Sequence, residues 1–399
     1  MAFNYDFILK NGRIYNPSQN EDRIGDLYVR GGKIVEKNVC LEDTAINIID
    51  CTGKYILPGF IEEHSHFLYD GNNNSTNTDL ICPPSGVTTA VDAGTSGFAN
   101  FPLFNNVMKL RSITNFKAYL NVTPFGILDV PGILAEDVDP KTFCERDIIR
   151  VFEKYSDTLV GLKVRIDRTT CHAYGLEPVK ETIRIAEKIK ACGYHCMVSV
   201  HAANVPDDIE IEDIAELLRP GDVFCHVFSP VRSSVFDKNG IIKEKIRHAQ
   251  ERGVYMDCCN GRVHWSFENY RRAVSQNFLP DLISSDVTRL SMFSNPAFSI
   301  LNPMNALLQV GMNEKDIFKA VTFTAAKALG ILEEAGTLDV GKPANIAIVD
   351  VVNVEHDMRD WYGGVEHCER MILPLLTMRN GEIVFRQYFF REGNFCIPQ

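Results

Sequence analysis

The sequence contains no long apolar run. Nowhere in its 399 residues does an uncharged apolar stretch reach the length that spans a bilayer. The opening MAFNYDFILKNGRIYN carries charges within ten residues and lacks the apolar centre of a secretion signal. These absences argue against membrane insertion and export, and a cytoplasmic location is expected. Basic patches are missing too: the formal charge is -11 and Lys and Arg are scattered, so nucleic acid and anionic membrane are not expected partners. No paired C-x-x-C knuckle occurs. CGYHC (192–196) has the wrong spacing, and Cys258 and Cys259 are adjacent, so the twelve cysteines read as reduced thiols rather than as a disulfide framework. There is no internal repeat and no low-complexity tract. Histidine is scarce, at ten residues, which makes its placement informative.

What is present is a chain that is 45% apolar and long enough for one large domain and one small one. Residues 5–57 alternate short apolar runs with turns, and the Asn-Gly and Gly-Gly steps there are hairpin chemistry. From residue 56 the pattern becomes β-rich runs separated by longer, partly helical segments. The runs are YILPGFIEEHSH, GVTTAVDAG, FKAYLNVT, LVGLKVRI, HCMVSVHA, DVFCHVF, GVYMDCC and DLISSDVT, and eight is the number that closes a (β/α)8 barrel. VKETIRIAEKIKACG and IIKEKIRHAQERG have apolar positions three or four apart and a terminal Gly suited to a helix C-cap. After residue 336, hairpin character returns in GTLDVGKPANIAIVDV and TMRNGEIVFRQ. The expected architecture is an α/β TIM barrel (58–336) inserted into a small β domain formed from both chain ends (1–57 and 337–399). GTLDVGKP has P-loop spacing, but Pro343 stands where Ser or Thr must hold magnesium.

In such a barrel, function gathers at the carboxyl ends of the strands. The polar residues ending successive runs are His64 and His66, then Lys163, His201, His226 and Asp286. Four imidazoles and a carboxylate suit zinc, and four histidines exceed what one open catalytic zinc needs, so two divalent ions sharing a bridge fit better. An ammonium at Lys163 would be repelled by two cations, whereas N6-carboxylation would turn it into a bridging carbamate. Each residue alone has a plainer reading: a hydrogen-bonded core histidine, a lysine snorkelling to solvent, an aspartate capping a turn. Their joint placement favours the metal. His172, His195, His248, His264, His356 and His367 lack that placement and read as surface or packing residues.

PGFIEEHSH, GLKVR, SVHAA, FCHVF and SSDVT together resemble the amidohydrolase superfamily, in its dihydroorotase-like branch with a binuclear centre. AVDAGTSG and VGLKVRIDR are similar to segments of hydrolases of N-acetyl-D-amino acids and acetylated 2-hydroxy acids that are often labelled dihydroorotase. Two positions depart from the pattern: Glu62 replaces an aspartate, and Asn260 in DCCNG replaces a pocket histidine. The resemblance implies hydrolysis of an amide or ester of a small acylated substrate by a metal-bridging hydroxide, with Asp286 as both ligand and proton shuttle. Arg165, on the face of the run that carries Lys163, is expected to clamp a substrate carboxylate; Arg168 and Asn260 are further substrate-binding candidates. The alternatives are a cyclic-amide hydrolase (dihydroorotase or hydantoinase type), an isoaspartyl dipeptidase, a mononuclear deaminase, or a non-catalytic scaffold. A homo-oligomer is expected.

Overall fold

The computed structural model describes residues 3–40, 42–69, 71–128, 136–171, 173–292 and 297–390. Seven parallel strands form one sheet in chain order: β1 (Phe60–Ser65), β2 (Val87–Gly97), β3 (Asn115–Asn121), β4 (Leu159–Arg165), β5 (Met197–His201), β6 (Val223–Cys225) and β7 (Tyr255–Asp257). β1, β2, β5 and β6 are buried at every residue, so they lack the in–out alternation of a half-exposed strand, and even the polar Glu62, Glu63 and His64 of β1 lie inside. The helices between them bury one stripe each. Glu177–Ala191 buries Val179, Thr182, Ile185, Ala186 and Ile189, and the chain turns out of it at Gly193, φ +92°.

The eighth run is not a full strand. Residues 281–286 lie against β7 through one parallel bridge, Asp257 to Leu282, and through Cys258 N–H to Leu282 O at 3.2 Å. On its other side Asp286 N–H donates to His64 O at 2.8 Å. Glu62 tightens this junction: its carboxylate accepts from Ser285 N at 2.9 Å and from Ser285 Oγ at 2.5 Å.

A second sheet has eight strands among the described residues and draws them from both chain ends. Its order is 382–386, 365–379, 346–359, 55–58, 5–16, 21–30 and 33–35, with 45–50 also paired to 5–16. Ile346–Val349 run antiparallel to Tyr55–Pro58, so the C-terminal strands are stitched to the segment that leads into β1. The two dipeptide turn signals separate here. Gly31–Gly32, at φ +57° and +74°, is a true hairpin turn between 21–30 and 33–35. Asn11–Gly12 is instead a bulge inside one strand, Tyr5–Asn16, where the register shifts between Leu9 and Gly12. No helix among the described residues is long and apolar enough to cross a membrane.

Candidate metal centre

The carboxyl ends of the parallel strands meet around a cavity of about 360 Å³. His64, His66, Lys163, His201 and Asp286 line it, and His226 lies directly behind His201, with His226 Nε2 2.8 Å from His201 Nδ1. Parallel register does the assembling. Lys163 stands beside Asn121 on β3 and Ser199 on β5, and His201 beside Cys225 on β6. Lys163 Nζ consequently reaches Ser199 Oγ at 3.3 Å, Cys225 Sγ at 3.6 Å and His64 Nε2 at 3.2 Å. His226 and Asp286 adopt left-handed backbone conformations, φ +60° and +47°, a strained geometry that turns the chain as it leaves the sheet.

The electrostatics suit cation ligands. Burial drives His64, His201 and His226 well below the usual histidine range; Lys163 depresses His64 further, His226 depresses His201, and His264 depresses His226. Neutral imidazoles are the ligating form. Burial raises the Asp286 carboxyl, but the His66 hydrogen bond (Nε2 to Oδ1, 3.3 Å), together with the surrounding imidazoles, outweighs it and holds the group below the usual carboxylate range. Two buried nitrogens, His64 Nδ1 and His201 Nε2, have no hydrogen-bond partner. Orphaned buried imidazole nitrogens next to a carboxylate are what a metal cage leaves when only its protein atoms are considered, so the residues present fit a divalent ion. Among the described residues the compact groupings are His64, His66 and Asp286; His201, His226 and His264; His64, His226 and Cys259; and His64, Cys225 and Asp257.

Beneath the cavity lies a carboxylate layer. Asp257 Oδ2 sits 3.6 Å from His64 Nδ1, accepts Ser284 Oγ at 2.8 Å, and is raised by burial to about 7. Its neighbour Glu63 accepts the Tyr119 hydroxyl and is also raised by burial. His66 Nδ1 is held by Thr95 Oγ1 at 2.9 Å, and Thr95 is in turn bonded to Asp92. These contacts orient the rings.

The substrate-side candidates divide. Arg165 lines the cavity, with Nη1 paired to Glu136 Oε2 at 2.6 Å; Glu136 Oε1 accepts Asn121 Nδ2 at 2.9 Å. Arg168 is not brought to the cavity: its guanidinium pairs with Asp207, an exposed residue. Asn260 is also withdrawn. Its side chain is fully buried and accepts the Tyr270 hydroxyl, because β7 ends at Asp257 and the chain turns through Cys259 at φ +39°. His264 reverses its expected role as a surface or packing residue: it lines the cavity, with its ring centroid 4.3 Å from that of His226. Of the other five histidines, His195 bonds Ala328 O at 3.0 Å, His248, His356 and His367 are exposed, and His172 lies outside the described residues. Sequence reasoning missed Glu136, His264 and the Asp257–Glu63 layer. Only Asp257, the last polar residue of β7, carried a strand-end signal.

The family model for the amidohydrolase family matches residues 55–384. A deacetylase of Agrobacterium fabrum is 30% identical over 362 residues, 90% of this chain and 86% of that protein. Among solved structures, an adenine deaminase superposes with a TM-score of 0.85 at 24% identity, covering 96% of this chain and 100% of its own. A dihydroorotase superposes with a TM-score of 0.82 at 27% identity, covering 94% and 98%.

Proposed function

Because the chain belongs to the amidohydrolase family and is thereby a hydrolase acting on carbon–nitrogen bonds other than ordinary peptide bonds, we propose that it removes a short acyl group, acetyl in the first instance, from a small carboxylate-bearing substrate. The substrate class is an N-acyl amino acid or an acylated 2-hydroxy acid. The observation that carries this reading is the convergence of four imidazoles, Lys163 and Asp286 at one small cavity, with Arg165 on the same wall. The likeness to a deacetylase over nine-tenths of the chain supports the acyl group.

His64, His66, His201, His226 and Asp286 would hold two divalent ions, zinc by donor chemistry, with Lys163 as an N6-carboxylated bridge. Forming that carbamate joins the unprotonated Nζ to the carbon of carbon dioxide and releases one proton. Bound divalent ions supply Lewis-acid polarisation of the acyl carbonyl and acidify water toward neutrality. The chain's own residues do the rest. Asp286, ionised beside His66, accepts the proton of the attacking water on a carboxylate oxygen and hands it to the leaving nitrogen, which departs poorly as an anion. Arg165 donates to the substrate carboxylate through guanidinium hydrogens that Glu136 leaves free, and Glu136 fixes the orientation of that fork. The parallel array is read as an eight-unit barrel, with 281–286 as its last member; the bonds from Asp286 to β1 and from Cys258 to Leu282 support this closure.

A second reading, ring opening of a cyclic amide, draws on the likeness to a dihydroorotase structure. A panel of N-acetyl-D- and N-acetyl-L-amino acids, acetylated 2-hydroxy acids, dihydroorotate and hydantoins, assayed on metal-replete protein, separates the two. Acetate release from the acyclic members is the expected result. Turnover of only the cyclic members would replace the first reading with the second.

A further inference from the structure

His264 lies on no strand, yet it lines the cavity beside His66, Lys163, His201 and Asp286. Its ring centroid is 5.5 Å from that of His201 and 4.3 Å from that of His226. The loop carrying it is held in place: Gly261 N–H donates to Ser285 O at 2.9 Å and His264 N–H to Asn260 O at 3.1 Å.

Two tautomers satisfy the bonding of the ring, and one of them leaves Nε2 as the available donor. Val231 N–H donates to Ser229 Oγ at 3.3 Å, which occupies one of the hydroxyl's two lone pairs and leaves its proton able to bond another acceptor. The acceptor in reach is His264 Nδ1, at 3.3 Å. With Nδ1 accepting, the neutral imidazole carries its proton on Nε2, which has no protein partner among the described residues. Gly261 adjoins both that edge of the ring and the Asp286 carboxylate. A Cβ added at Gly261 would lie 2.8 Å from Asp286 Oδ2 and 3.3 Å from His264 Cδ2, the ring carbon bonded to Nε2. Donor and carboxylate therefore flank one small space.

We propose that His264 is a substrate-contacting hydrogen-bond donor, its Nε2–H directed to the substrate oxygen that gains negative charge when the acyl carbon becomes tetrahedral. The inference rests on the acyl-hydrolase reading above. As the bond from water oxygen to acyl carbon forms and a water proton passes to Asp286, the carbonyl π pair moves onto the carbonyl oxygen; the hydrogen bond from His264 strengthens, and His264 keeps its proton. A donor placed for charge that develops only in the transition state accelerates the step rather than tightening substrate binding. Metal ligation through Nε2 would require the proton on that nitrogen to be lost.

The test uses the metal-replete full chain with His264→Ala and His264→Gln, the latter retaining a donor and serving also as a second variant if the alanine chain is insoluble. Metal per chain is measured, together with calorimetric binding of methylphosphonate, a tetrahedral anion the size of a hydrated acetyl group, and of planar acetate. The expected result is unchanged metal content and methylphosphonate binding weaker by about 10- to 100-fold in the alanine variant. Acetate should be affected far less, and glutamine should recover part of the loss. Loss of metal in either variant, an equal loss for both anions, unchanged methylphosphonate binding, or no methylphosphonate binding by the unsubstituted protein would each overturn the proposal. If methylphosphonate binding depends on His264 while no acyl substrate is hydrolysed, the acyl-hydrolase reading fails and the donor role stands.

Discussion

Gly94→Ala probes the bridge position through its packing. Gly94, on β2, has φ +78°, and a Cβ built there would lie 2.6 Å from Lys163 Cβ and 2.8 Å from Lys163 Cγ. Neither atom is the far end of a flexible chain, so relief requires β4 to shift by most of an ångström. Two costs separate cleanly. The left-handed backbone costs an alanine about 1–2 kcal/mol, and overpacking a tight core adds about 1–3 kcal/mol. Gly53→Ala supplies the control, because Gly53 has nearly the same φ, +75°, and nothing within 4 Å of its added Cβ. In urea unfolding, Gly94→Ala should therefore lie about 1–3 kcal/mol below Gly53→Ala. Displacement of Lys163 Nζ from its 3.2 Å contact with His64 should also reduce bound metal and slow turnover by about 100-fold. Gly94→Ala matching Gly53→Ala in stability, with full metal and full rate, would refute the reasoning.

Lys163→Ala should lose metal and activity, and short carboxylic acids should restore part of both; an alanine variant with undiminished turnover removes the bridge. Arg165→Met should raise KM for carboxylate-bearing substrates about 10- to 100-fold, the worth of a charge-assisted hydrogen bond, and leave neutral analogues unaffected; an unchanged KM takes Arg165 out of the pocket.

The parallel strands were legible because burial on both faces removes the alternation of a half-exposed strand and helical segments separate the runs, and Lys163 and Arg165 because side chains two apart on a strand share a face. Residues on loops were not. His264 reaches the cavity seven positions after β7 ends, and Glu136 enters after β3 from a connection with no periodicity, so nothing local announces either one. Asn260 misled because the β-rich run continues in the sequence through Cys259, whereas the strand stops at Asp257. The Asn11–Gly12 step carries the same propensity in a bulge as in a hairpin, and pairing of Tyr5–Asn16 with 21–30, 45–50 and 55–58 decides between them. Glu62, a departure from the family pattern, proves to span from β1 to Ser285 beside Asp286, a long-range contact that no local pattern reports.

The central claim is a cage for a pair of cations, and metal analysis of protein purified without chelator tests it most directly. Two divalent ions per chain, lost together with activity on chelation and regained with it on zinc addition, is the result this reading requires. A fully active chain with no bound divalent ion, or with one at saturation, would contradict it.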